Sequence, residues 1–226
     1  RLGGLARTAL LGRPAAFVPR PAAWPATLAS GLPGYFDLAP LGRTLEDLVD
    51  FDLLNGGPVR LTVVATDLET GERVVFDSRK RPIGPEHVMA SAALIPEFHP
   101  VEVEGRLLGD GGLSTNLPVD LVLDEDPGGG ARLTFALDLF QSAGPRPETM
   151  AAATNRRQEI LFANQTRLVL DLYGRLFAAQ GPGKGGHRVL LTTCPAEAET
   201  GAPRTFDFVS GSIARRWQAG ERAMAE

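Results

Sequence analysis

LLGDGGLSTNLPVD, residues 107–120, runs from an apolar segment into one carboxylate and straight on through two glycines. Glycine accepts positive φ and lets other backbone approach closely, so a chain can turn sharply there and aim Asp110 outward. In an open α/β sheet, ligands sit beyond the carboxyl ends of strands, and Asp110 falls at such an end. An aspartate here can equally cap a tight turn by bonding its own backbone, so the residues alone leave both readings open. A carboxyl of ordinary pKa, about 3.9, is a weak base. Partial burial and a serine hydroxyl within reach would make it a useful one.

Outward from this stretch, strand and helix patterns alternate. VEVEGRLLGDGG predicts a hairpin turning at Glu104, Gly105 and Arg106. GPEHVMASAALIP before it predicts a helix entered through Pro85 and ended by Pro96. VRLTVVATDL is nearly continuously apolar and β-branched, as in a strand buried on both faces, and a turn at Thr70-Gly71 leads to a more alternating partner. LGRTLEDLVDFDLL predicts one helix, with Leu41, Leu45, Leu48 and Val49 on a face. A short helix over about 117–123 would be capped by Ser114 or Asn116, with Pro118 in its first turn. Beyond it come the strand RLTFALDLF and a long helix over about 148–180 with Leu161, Leu168, Leu172 and Leu176 aligned. The strand HRVLLTTC and a closing amphipathic helix complete the chain. This order predicts an α/β fold with a mixed, mainly parallel sheet layered between helices.

The first 40 residues differ in kind. A short helix is predicted over residues 1–12, then a proline- and aromatic-rich loop to Pro40. Four arginines and no acid precede Asp37, interleaved with Phe17, Trp24, Leu28, Leu32, Tyr35 and Phe36. These are the makings of a lid over the cleft near Asp110 that meets anionic lipid, though the same aromatics would also serve as core. The expected division is 1–40 lid-like segment, 41–140 catalytic core, and 141–226 helical extension with one added strand.

With 226 residues and 43% hydrophobic composition, the chain can bury a sizeable core. A net charge of -4 leaves no nucleic-acid footprint. No run approaches the roughly 18 apolar residues that span a bilayer. Cys194 is the only cysteine, which excludes an internal disulfide and favours a reducing compartment. A cytoplasmic location, peripheral to a membrane, is the expectation, and a homo-oligomer stays open.

Other candidate chemistry is thin. No Gly-x-Ser-x-Gly occurs; VSGSIA, residues 209–214, lacks the leading glycine and suits the start of the last helix. His187 follows Asp110 in an order compatible with a Ser-Asp-His triad, but it opens a strand. His87 and His99 have no metal-like neighbours, so no metal and no cofactor is expected. DEDP, residues 124–127, suits a solvated loop. GPGKGG, residues 181–186, has glycine where a phosphate loop needs Ser or Thr, and suits a connector.

VMASAALIPEFHPVEVEGRLLGDGGLSTNLPVDLVL, residues 88–123, resembles the C-terminal catalytic half of patatin-like phospholipases. There a Ser-Ala-Ala helix, a proline, a hairpin and Asp-Gly-Gly follow in this order. LVDFDLLNGGPVRLTVVATDLETGERVVFDS and FDFVSGSIARRWQAG are similar to a bacterial branch of that family. The resemblance implies a three-layer patatin-like fold and a lipid or acyl-ester substrate cleaved by a Ser-Asp dyad without histidine. Asp110 would be the base, Gly111 and Gly112 its motif, and Ser91, Pro96 and Phe98 part of the substrate pocket. The family's glycine-rich oxyanion loop and nucleophile elbow would precede Arg1, so an upstream segment is expected; without it the dyad is incomplete. A patatin-fold module that binds without catalysis is the rival reading.

Overall fold

The computed structural model describes residues 7–8, 10–20, 33–125, 132–180, 187–193 and 210–225. Two compact units emerge, Ala6–Thr115 and Asn116–Glu226.

The first unit is built on a four-stranded sheet. Its strands are β3 (Thr62–Asp67), β4 (Arg73–Asp77), β5 (Val101–Val103) and β6 (Arg106–Asp110), in the order β4-β3-β6-β5 and antiparallel throughout. The expectation of a mainly parallel sheet does not hold for the described strands. The physical reason lies in the connections. Gly71 (φ 73°) turns β3 into β4, and Glu104 (φ 54°) and Gly105 (φ 75°) turn β5 into β6. Such tight turns can join only antiparallel neighbours, since a parallel pair needs a long crossover. The α/β character itself stands. Val63, Val64 and Ala65 are all buried, as the unbroken apolar run requires, and Phe76, Ile83 and Leu108 are sealed in the same core.

Helix α3 (Pro85–Ser91) packs on β3, β5 and β6. It ends five residues before Pro96, because Ala92 to Glu97 turn back toward the sheet. The predicted helix near residue 45 is two, α1 (Ala39–Leu48) and α2 (Phe51–Gly56). Asp50 breaks it by accepting the Leu53 N–H at 2.8 Å as an N-cap. Two short strands, β1 (Val18–Pro19) and β2 (Phe36–Asp37), pair antiparallel. Phe17 and Phe36 are buried, in edge-on contact at 5.0 Å, and Phe98 lies 5.4 Å from Phe17. These aromatics of the lid-like segment therefore serve as core. Trp24, Leu28 and Leu32 lie outside the described residues.

Buried or half-buried ion pairs brace the sheet. Arg60 grips both oxygens of Asp77 at 2.9 and 2.7 Å, and Arg106 on β6 reaches Asp67 at the end of β3 at 2.7 Å. The Arg60 and Arg106 guanidiniums hold Asp77 and Asp67 below the ordinary carboxyl value of 3.8. Such groups contribute stability that is present above 3.8 and lost as pH falls through their lowered folded values. Urea unfolding between about pH 5 and about pH 3 should show a falling midpoint, and Asp67→Asn should flatten that slope. An unchanged slope would remove Asp67 from the account.

The second unit holds α4 (Asp120–Leu123), β7 (Arg132–Asp138), α5 (Met150–Gln180), β8 (His187–Thr193) and α6 (Ser210–Ala225). β7 and β8 pair in parallel, joined through α5 as a crossover. The apolar cluster centres on Val119, Leu123 and Ala136, covered by Val169, Leu170, Tyr173 and Phe177 of α5. Leu161, Leu168, Leu172 and Leu176 do share a face, but it is the exposed one. Helix α4 starts later than predicted, with Val119 at its N-cap and no side-chain cap. Asn116 is engaged elsewhere, its N–H donating to Gln165.

Candidate active site

Asp110 is the last residue of β6, opposite Ala65 of β3. Its N–H donates to the Ala93 carbonyl at 2.9 Å, so the segment after α3 closes over the strand end. Its side chain caps the short 3-10 turn Gly111–Leu113, with Oδ1 accepting the Gly112 N–H at 2.6 Å. Capping and availability are compatible here: among the described residues none donates to Oδ2. Burial pushes the Asp110 carboxyl above 3.8, and the Gly112 N–H offsets only part of that push. Desolvation thus moves this carboxylate toward the range where a base is effective at neutral pH.

Gly111 shows why the motif needs glycine. A Cβ there would lie 2.3 Å from the Val64 carbonyl oxygen, against the backbone of β3. Close approach, rather than positive φ, is the constraint.

The expected pocket residues divide. Ser91 closes α3 and is half-buried, two residues before the Ala93 carbonyl that meets Asp110. Pro96 is exposed and follows a cis peptide; its carbonyl accepts the Tyr35 N–H, and that of Glu97 accepts the Phe36 N–H. Phe98 belongs to the ring cluster with Phe17 and Phe36. Pro96 and Phe98 thus anchor the arm that carries β2.

One pairing of hydroxyls escaped the sequence reading, which took Ser114 only as a candidate helix cap; the helix has no side-chain cap. Thr66 Oγ1 lies 2.8 Å from the Asp110 carbonyl and 2.9 Å from Ser114 Oγ, and Ser114 Oγ lies 3.2 Å from the Gly111 carbonyl. The available signal was a threonine inside a nearly all-apolar strand, where a buried hydroxyl requires a partner.

The histidines have structural occupations. Gly84 N–H donates to His87 Nδ1 at 2.9 Å, so that nitrogen is an acceptor and caps α3; the nearby Glu86 carboxylate is then no ion-pair partner at that atom. His99 contacts Asp37 at 3.1 Å, and His187 stacks on Phe177 with rings 5.3 Å apart. In the DEDP loop, Asp124 accepts from Tyr173 and Glu125 pairs with Arg132 at 3.0 Å. Among the described residues no three His, Cys, Asp or Glu side chains gather as a metal would need, and no helix is long and apolar enough to cross a membrane. Cys194 and the GPGKGG segment lie outside the described residues. A groove of about 890 Å³ in the second unit is lined by Phe135, Leu190, Leu191, Arg222 and Met224 among others, and by no residue of the Asp110 turn.

The family model for patatin-like phospholipases matches residues 11–123, half of the chain and the whole of the Asp110 region. The chain belongs to the patatin-like phospholipase family, whose members act on lipid substrates. It is also similar to uncharacterized NTE family proteins of Mycobacterium bovis and of two Mycobacterium tuberculosis strains. Each is 38% identical over 117 residues, covering 50% of this chain and 31% of the relative. The match thus spans about a third of the length of those curated relatives.

Proposed function

We propose that this chain is the base-bearing portion of a lipid acyl hydrolase working through a Ser-Asp dyad. The observation that carries the reading is Asp110, held at the end of a buried strand with its carboxyl raised by burial and its turn locked by Gly112. In the reaction Asp110 accepts the proton of a serine hydroxyl as that oxygen attacks the ester carbonyl. The proton passes to the departing alcohol, leaving an acyl-enzyme. Water then repeats the sequence, and a fatty acid leaves. The reading requires a nucleophilic serine and oxyanion donors in addition to Asp110.

The test is esterase and phospholipase turnover of the protein with its native upstream sequence. His187→Ala should keep turnover within about threefold, because a side chain outside the reaction contributes no proton transfer. A loss from His187→Ala matching that from Asp110→Asn would replace the dyad by a triad. A protein with its upstream sequence that never turns over an ester or reacts with a serine-directed fluorophosphonate would support a binding module instead.

The arm before Asp37 makes reversible contact with anionic lipid surfaces through Arg7, Arg13 and Arg20, each cation contributing about 1 kcal/mol at the surface. Replacing all three by alanine should lower partitioning onto anionic vesicles at low salt. Equal partitioning of variant and wild type would end that reading.

A further inference from the structure

We infer that Thr66 and Ser114 form a hydroxyl brace that positions Asp110 for proton transfer, an inference that rests on the reading of Asp110 as the base. Thr66 lies on β3, is only 5% exposed, and pairs in register with Gly109, the residue before Asp110. Its Oγ1–H donates to the Asp110 carbonyl at 2.8 Å. A hydroxyl has one proton to give, so in the 2.9 Å contact Ser114 donates to Thr66 Oγ1, and its 3.2 Å approach to the Gly111 carbonyl is the longer alternative for the same proton. The two hydroxyls therefore lie against the carbonyl of Asp110 and that of Gly111, the latter in the peptide unit whose Gly112 N–H holds the carboxylate.

The ladder bonds alone do not hold this point. Asp110 is the last residue of β6 and leads into the 3-10 segment; its pair with Ala65 is a non-hydrogen-bonded one, so its N–H points away from β3, to Ala93. At such a strand end, φ and χ1 of Asp110 aim the carboxylate, and ψ of Asp110 with φ of Gly111 set where the Gly112 N–H meets it. Thr66 fixes the Asp110 carbonyl from a buried strand, and Ser114, held on Thr66, lies against the Gly111 carbonyl within the turn. Neither hydroxyl reaches the Asp110 carboxylate in these bonds, so neither is a catalytic residue; both are positioning residues.

The variants separate positioning from packing. Thr66→Val keeps shape and removes the hydroxyl, Thr66→Ser keeps the hydroxyl and removes a methyl, and Ser114→Ala removes the second hydroxyl. In the protein with its native upstream sequence, Thr66→Val should lower kcat on a short-chain p-nitrophenyl ester by about tenfold to about a hundredfold, with KM within about twofold. Thr66→Ser should restore kcat to within about threefold of wild type, and Ser114→Ala should fall between. The acid limb of the kcat/KM pH profile should move in Thr66→Val and return in Thr66→Ser. Equal loss in Thr66→Val and Thr66→Ser, or full kcat in Thr66→Val, overturns the brace. Should Thr66→Val fail to fold, Ser114→Ala and Thr66→Ser decide: wild-type kcat and an unmoved acid limb in Ser114→Ala overturn it. Asp110→Asn is run alongside. If that variant retains turnover, the reading of the base fails; if it is inactive while the hydroxyl variants are normal, only the brace fails.

Discussion

Asp110→Asn should cut ester turnover of the protein with its native upstream sequence by about 10²–10⁴-fold while making the fold more stable. The loss follows because an amide cannot accept the serine proton. The gain follows from the sign of the carboxyl's shift. Burial raises Asp110 above 3.8, so its folded form favours the proton. The stabilisation from that proton is complete below 3.8 and vanishes as pH rises through the folded value, leaving a charged, half-buried carboxylate at neutral pH. Asparagine removes the charge and keeps an oxygen for the Gly112 N–H. Urea unfolding should show a gain on the order of 1 kcal/mol at pH 7, shrinking toward zero as pH falls below 3.8. Retained turnover would remove Asp110 from the chemistry. A destabilised variant at pH 7 would mean that the charge serves the turn more than it strains it.

Gly111→Ala carries the second large effect, this time through sterics. The added Cβ would sit 2.3 Å from the Val64 carbonyl oxygen and 2.9 Å from its carbon, both backbone atoms in the middle of β3. Neither a rotamer change nor a small shift resolves such an overlap, so the turn must leave the sheet. A stability loss of about 3 kcal/mol and inactivity together are expected. Gly56→Ala is the control: at the end of α2 its Cβ would meet nothing within 4 Å, and stability should hold within about 0.5 kcal/mol. If Gly111→Ala unfolds at the wild-type midpoint, the close approach is not a constraint.

How much of this was legible depends on the residue. The unbroken β-branched run around Val63 and Val64 announced a buried strand, and Gly71 and Gly105 announced hairpins, because local backbone chemistry decides those features. Strand direction was misjudged because a continuous apolar run is also the signature of a parallel sheet, and the turn lengths had to outweigh it. The α5 leucines misled for a related reason. Helical period identifies a face, yet which of two apolar faces is covered depends on what docks there, and Phe162, Ala163 and Thr166 are on the covered side. At the site, Asp110 and its glycines were readable from their order. The Thr66–Ser114 brace was not, since it joins residues 48 apart whose only link is the register of β3 against β6.

That register also governs the order in which the site can come into being. Each hairpin, β3–β4 and β5–β6, closes over a short turn and can form within about 1–10 μs on its own. Asp110, however, depends on Thr66 from the other hairpin, 44 residues away in sequence, and on the Ala93 carbonyl between them. Neither hairpin alone contains an oriented carboxylate. The loop closure that unites them precedes any such geometry, so a collapsed chain with both hairpins formed is still chemically inert. In pulsed hydrogen exchange during refolding, the Val63 and Phe76 amides, a hydrogen-bonded pair of the β3–β4 hairpin, should gain protection before those of Asp110 and Gly112. The last amides to be protected would then mark the moment at which a folded chain acquires its base.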